Sequence, residues 1–279
     1  MILRIKHSGH LGDVIYSIPA MLGLSKRYGY DACELFIPND KPTGLHPAMN
    51  HPGGNMMINQ AMYDFIEPLL KSQACIVDVH FVSESEIQTD CVDFDIIRNA
   101  QLNLSAGNIV NYYLKAFGLF FDASHGWLDL PDEQVEDEPC NLLIGRSMRY
   151  LNDRINFDFL NEVEGRKGFI GSDYEYASFT SAFPLLRIER IPVKNALEAA
   201  QRIRRAKLYI GNQSFFFALA ESLKVPRLLE CFEPVPNVVP VGGVCGQFVT
   251  TRGLQFLVGD VFERQYSPYA ERDGGFRLC

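Results

Sequence analysis

The chain has 279 residues, 47% of them hydrophobic, a formal net charge of -8 and seven cysteines. That length suits two domains of ordinary size. No apolar run reaches the roughly 18 residues that cross a bilayer, and the acidic balance disfavours non-specific binding to nucleic acid, which needs phosphate-neutralising Lys and Arg. The cysteines are scattered without a CxxC pair, which points to reduced thiols over a disulfide framework or a zinc site. With an N-terminus, MILRIKHSGH, that lacks the long apolar core of a signal peptide, the expectation is a cytoplasmic protein.

In chain order, residues 1–6 form a short apolar strand, followed by the loop HSGHLGD and a helix over 14–27 with apolar spacing at Val14, Ile18, Met21 and Leu22. Pro19 falls inside that helix, near its first turn, where proline is tolerated. A strand is expected at 33–38. Residues 39–55, rich in Pro and Gly with His46 and His51, are a long irregular segment of the kind that is often functional. Residues 56–73 read as a helix, 74–82 as a buried strand, 93–98 as a short strand and 108–117 as a helix with an aromatic face. The run PDEQVEDEP at 131–139 is acidic and flanked by prolines, and reads as a linker.

After it the alternation restarts. A strand at 140–145 leads into the Arg-rich loop RSMRYLNDR, then a short helix at 158–163 and a strand at 168–171. An amphipathic helix at 195–205 carries Leu197, Ala200 and Ile203 on its inner face. The stretch AKLYIGNQSFFFALAESLKVPRLLE, 206–230, contains a buried strand, a polar turn at 211–214, a helix and a second strand. A further strand is expected within 238–250, and the tail from Glu263 reads as surface helix or coil. No internal repeat appears. Two halves alternating strand and helix imply parallel sheets with helices on their faces, and ligands in such folds sit outside the carboxyl ends of the strands.

Three clusters carry chemistry. In HSGHLGD, Gly9 and Gly12 allow close approach to the backbone, and His7 and His10 flank the loop as candidate contacts to an acceptor or a diphosphate. Asp13 is either a helix cap or a general base that takes a proton from a hydroxyl nucleophile. In the second half, Arg146, Arg149 and Arg154 follow a strand and match phosphate oxygens with guanidinium forks. Gly211, Asn212, Gln213 and Ser214 precede a helix whose N-terminus is an anion seat. Glu221 or Glu230 could take a ribose diol as acceptors of its hydroxyl hydrogens. No metal-ligand spacing such as HExxH occurs, so neither a metal nor a resident cofactor is expected.

KHSGHLGDVIYSIPAM resembles the amino-terminal motif of the heptosyltransferase-like glycosyltransferases (glycosyltransferase family 9), in which a Lys, a small polar loop, Gly-Asp and a helix with Pro recur. AKLYIGNQSFFFALAESLKVPRLLE is similar to that family's carboxy-terminal sugar-nucleotide motif. The resemblance implies an α/β protein with two Rossmann-like domains facing across a cleft, the GT-B architecture. The domains would be an acceptor-side 1–131 and a donor-side 140–262, with 263–279 packing back on the first. It implies metal-independent transfer of a sugar from a nucleotide-diphosphate sugar, a co-substrate, to a hydroxyl acceptor such as a glycan, a lipid-linked glycan or a modified nucleobase. Asp13 would be the base, and residues 211–214 with the helix dipole would hold the departing diphosphate. The family pattern has Asp-Thr-Gly where this chain has Gln213, Ser214 and Phe215, and His where it has Ala218. Neither ADP-heptose as the donor nor a lipopolysaccharide-core role is therefore assumed. The alternatives are a nucleotide-sugar-binding protein without transfer and another doubly wound α/β enzyme, though an epimerase would show GxGxxG after its first strand.

Overall fold

The computed structural model describes residues 1–44, 54–131 and 137–264. His46, His51, the centre of the acidic linker and the tail from 265 lie outside the described residues. The chain builds two wholly parallel sheets. The first contains β1 (Ile2–Lys6), β2 (Ala32–Pro38), β3 (Ile76–Val82) and β4 (Val92–Asp93) in the order β3-β2-β1-β4. Its helices are α1 (Leu11–Tyr28), α2 (Gln60–Lys71) and α3 (Ile109–Ala116). The second sheet has the order β10-β9-β8-β5-β6-β7. Its strands are β5 (Leu142–Gly145), β6 (Lys167–Phe169), β7 (Glu189–Arg190), β8 (Leu208–Asn212), β9 (Arg227–Glu230) and β10 (Cys245–Phe248). Around it lie α4 (Asp173–Ala182), α5 (Ala196–Arg205), α6 (Phe215–Leu223) and α7 (Thr251–Arg264).

Strand order reverses between β1 and β4 in the first sheet and between β5 and β8 in the second. Each reversal opens a crevice at the carboxyl ends of its strands. The second sheet is covered on both faces, and its central strands show the period-two logic of a buried strand. Leu143 and Tyr209 enter a core shared with the first sheet. Leu142, Ile144, Leu208 and Ile210 enter a separate core with Phe157, Phe169 and Leu254.

That shared core is continuous from Ile5 and Val14 of the first layer to Phe217 and Ala220 of α6. The halves are also joined through Trp127. Proline at 19 has no N–H to offer the carbonyl of Ile15 one turn earlier, and the buried indole Nε1–H of Trp127 donates to that carbonyl at 3.1 Å. The backbone N–H of Trp127 donates to Ser222 O of α6 at 3.0 Å, and the Lys224 ammonium sits 4.5 Å from the ring centroid. Farther along, Gly107 N–H and Ile109 N–H donate to Pro236 O and Asn237 O, each at 3.0 Å.

Several sequence expectations change. α1 begins at Leu11, so Pro19 is mid-helix, tolerated because Trp127 supplies the missing donor. Residues 93–98 are not a strand: β4 ends at Asp93, whose carboxylate accepts from Asp95 N–H at 2.8 Å and starts a 3-10 turn over Phe94–Arg98. The helix expected from 56 begins at Gln60, where Asn59 caps it by accepting from Met62 N–H. α4, β7 and α7 are additions.

Candidate active site

Both crevices open into one cleft of about 620 Å³. From the first layer it receives the loop after β1 and the N-terminus of α1, with His10, Gly12 and Asp13, and the 3-10 turn that follows β4, with Arg98. From the second it receives the loop after β5 with Arg149, the start of α4 with Ser172 and Glu175, Arg190 at the end of β7, and the start of α6 with Ser214. The N-termini of α1, α4 and α6, with the first turns of α2 and α3 at Asn59 and Ile109, therefore face one space, each adding partial positive charge and N–H groups that lack intrahelical acceptors.

Asp13 takes the capping role and stands in the cleft as well. One carboxylate oxygen accepts from His10 N–H at 3.0 Å and closes the α1 terminus, while the side chain lines the cleft. Gly9 does not line it. Its role is room, because a Cβ there would lie 2.7 Å from His7 Cε1 and 2.8 Å from Asp13 Cβ. His7 is buried: Gly9 N–H donates to its Nδ1 at 3.1 Å, which leaves the proton on Nε2 to donate to Tyr113 Oη at 2.9 Å. Burial lowers its pKa, against the pull of Asp95 and Asp13. His7 is thus a neutral internal strut and not a ligand contact. His10 lines the cleft, and burial likewise lowers its pKa, opposed by Asp13 and reinforced by Arg149 on the other wall.

The arginines divide. Arg146 does not line the cleft: its guanidinium binds the fully buried Glu230 carboxylate through two bonds of 2.6 and 2.7 Å. The same carboxylate accepts from Asn152 N–H at 2.6 Å, so neither partner is available to phosphate or ribose. Arg154 pairs with Glu233 outside. Arg149 stacks its guanidinium 5.5 Å from the Tyr150 ring centroid and makes no ion pair among the described residues. Of the loop's three arginines it is the one that lines the cleft.

In the 211–214 turn, Ser214 caps α6, accepting from Phe217 N–H at 3.4 Å, and faces the cleft. The others support it. A Cβ on Gly211 would strike Gly145 O at 2.6 Å, so glycine permits β8 to close on β5. Asn212, wholly buried, donates to Ser147 O at 3.0 Å and Arg149 O at 2.5 Å and accepts from Ser147 N–H at 3.0 Å. Gln213 reaches the cleft, but its amide is spent on Val235 O, Asn237 Oδ1 and Phe232 N–H. Glu221 is buried between Lys224 and Arg227, each at 2.5 Å, and cannot meet a ribose.

The carboxylates lining the cleft, among the described residues, are Asp13 and Glu175. Sequence reading passed over Glu175 along with α4; the signal was Ser172 three residues before it, a capping box now seen with Ser172 N–H donating to Glu175 Oε2 at 2.8 Å. Arg98, bonded to Asp95 at 2.6 Å, and Arg190, paired with Asp173 at 3.0 Å, were also missed.

No family model and no curated protein matches this sequence. Solved structures do match. E. coli ADP-heptose LPS heptosyltransferase II superposes with a TM-score of 0.60 at 9% identity, covering 96% of this chain and all 100% of that one. E. coli heptosyltransferase WaaC with ADP-2-deoxy-2-fluoro heptose gives 0.56 at 10% identity, covering 93% and 99%. A glycosyl transferase family 9 protein from Veillonella parvula gives 0.56 at 10% identity, covering 94% and 89%. The chain has the two-sheet GT-B fold of these glycosyltransferases, as the two sequence motifs implied. Among the described residues, no helix is long and apolar enough to cross a membrane.

Proposed function

We propose that the protein is a glycosyltransferase that moves a sugar from a nucleoside-diphosphate sugar to a hydroxyl acceptor without using a metal. The observation that carries this is one cleft, at the reversal points of both sheets, with Asp13 on one wall and Arg149 beside the Ser214-capped terminus of α6 on the other. Residues 1–131 would serve the acceptor and 140–262 the donor. Arg149 and the first amides of α6 would hold the diphosphate, and Glu175 would accept from the ribose hydroxyls in place of Glu221. Asp13 would take the acceptor hydroxyl proton as that oxygen bonds to the anomeric carbon. The bond from that carbon to the phosphate oxygen breaks in the same step, and the nucleoside diphosphate leaves with both bonding electrons. Fixed dipoles at the leaving group act where negative charge develops. A nucleotide-sugar donor, and the free cysteines among the described residues, fit a reducing cytoplasm.

A second reading, donor binding without transfer, is favoured by Gln213 and the buried Ala218 standing where the family pattern has an acid and an imidazole. Asp13→Asn separates the two. Transfer should be abolished with nucleotide binding nearly intact; turnover equal to the parent would remove Asp13 from the mechanism, and a parent that binds donor but never consumes it would establish the second reading.

A further inference from the structure

The two walls of the cleft differ in charge. The donor wall presents Arg149 without an ion pair among the described residues, Arg190 paired with Asp173, Glu175, and the termini of α4 and α6. The acceptor wall presents the termini of α1 and α2, already capped by Asp13 and Asn59, the start of α3, and one cation among its described residues, Arg98, which Asp95 neutralises at 2.6 Å. Beyond Asp13, most of that wall is apolar: Met62 and Phe65 from α2, Ile109 and Tyr112 from α3, and Leu104 between them. α6 faces it with two further rings. Phe65 lies 6.0 Å from Phe215 at 68° and 6.4 Å from Phe216 at 88°. All three rings are only half-buried, so part of their surface stays open to an occupant.

An anionic acceptor placed here would lose hydration without gaining a free cation, a net cost. An acceptor with an aromatic or aliphatic face would remove these open rings from water and gain ring-on-ring contact. We propose that the acceptor, on the donor reading above, is an uncharged hydroxyl compound bearing an aromatic or aliphatic group, which packs on Phe65, Phe215 and Phe216 while its hydroxyl reaches Asp13. The polar requirement is confined to that hydroxyl, and the apolar group sets selectivity.

The test is calorimetric, on the full chain saturated with the nucleoside diphosphate it binds. The probes are 4-nitrophenyl β-glucoside, glucose and glucose 6-phosphate, titrated into the parent, Phe65→Ala and Phe65→Leu. The aryl glucoside should bind at least about tenfold tighter than glucose, the size of one good aromatic contact. Both variants should lose that preference while keeping the parent affinity for the nucleoside diphosphate, which also reports that they are folded. Preference for glucose 6-phosphate, or an aryl preference untouched in both variants, would overturn the acceptor class and leave the donor reading standing. Failure of the parent to bind any nucleoside diphosphate would overturn both.

Discussion

Asn212 donates its side-chain amide to the main-chain carbonyl of Arg149 at 2.5 Å. A buried residue at the end of β8 thereby fixes the loop after β5 that presents Arg149, the cleft arginine with no ion pair among the described residues. The two strands flank the reversal point of the second sheet, so one clamp ties together both loops expected to meet the donor.

Asn212→Asp tests the clamp. The change keeps shape but turns a carbonyl-facing donor into an acceptor, and a buried group so left unsatisfied costs about 1–3 kcal/mol. Affinity for the donor, measured by titration, should fall about tenfold through the misplaced Arg149. An unchanged affinity would show that Arg149 holds its place without Asn212.

The two arginines of the RSMR segment should behave oppositely. Glu230→Gln leaves the Arg146 guanidinium buried without its counter-charge, a defect of about 3–5 kcal/mol, visible as a lower denaturation midpoint. Arg149→Ala removes a side chain that packs on one ring face, that of Tyr150, and should change stability by no more than about 0.5 kcal/mol.

Trp127 and Pro19 should be energetically coupled. Trp127→Phe leaves the Ile15 carbonyl without its 3.1 Å donor, at about 1–3 kcal/mol. Pro19→Ala restores a backbone N–H one turn from that carbonyl, so in its presence Trp127→Phe should cost less. A double-mutant cycle of denaturant unfolding reads the difference; strict additivity would contradict the assigned role of the indole.

Acid should weaken the fold through its buried imidazoles. His7 titrates lower folded than its ordinary value of 6.5, so the unfolded chain binds the extra proton first. Its stabilising contribution is complete above pH 6.5 and is lost as pH falls toward the folded value. His10 shifts in the same direction. Each histidine contributes a slope of at most about 1.4 kcal/mol per pH unit in that window. His7→Gln should flatten the dependence of unfolding free energy on pH, and an unaltered slope would show that His7 accepts a proton in place.

Much of the fold was legible because its central strands are short apolar runs and its main helices are amphipathic. β1 with α1, and β8 with α6, could be read as strand–loop–helix units, although α1 begins three residues before its expected start. α4 (DYEYASFTSA) escaped because it has almost no apolar face, and α7 escaped because Gly253 and Gly259 sit inside it. That Asp13, Arg149 and Ser214 would line the cleft was legible from their places after strands. Arg146, Glu221 and Glu230 were misassigned because sequence shows charges but not their partners. Arg146 and Glu230 are 84 residues apart in the chain and meet only when β5 and β9 join one sheet.

The most direct measurement is calorimetric titration of a panel of nucleoside diphosphates into the parent protein and Arg149→Ala. The donor site described here predicts that one nucleoside diphosphate binds the parent, and about ten- to a hundredfold more weakly to the variant, the worth of a charge-assisted contact. Folded parent protein that binds none of them, or a variant that binds as tightly as the parent, would contradict it.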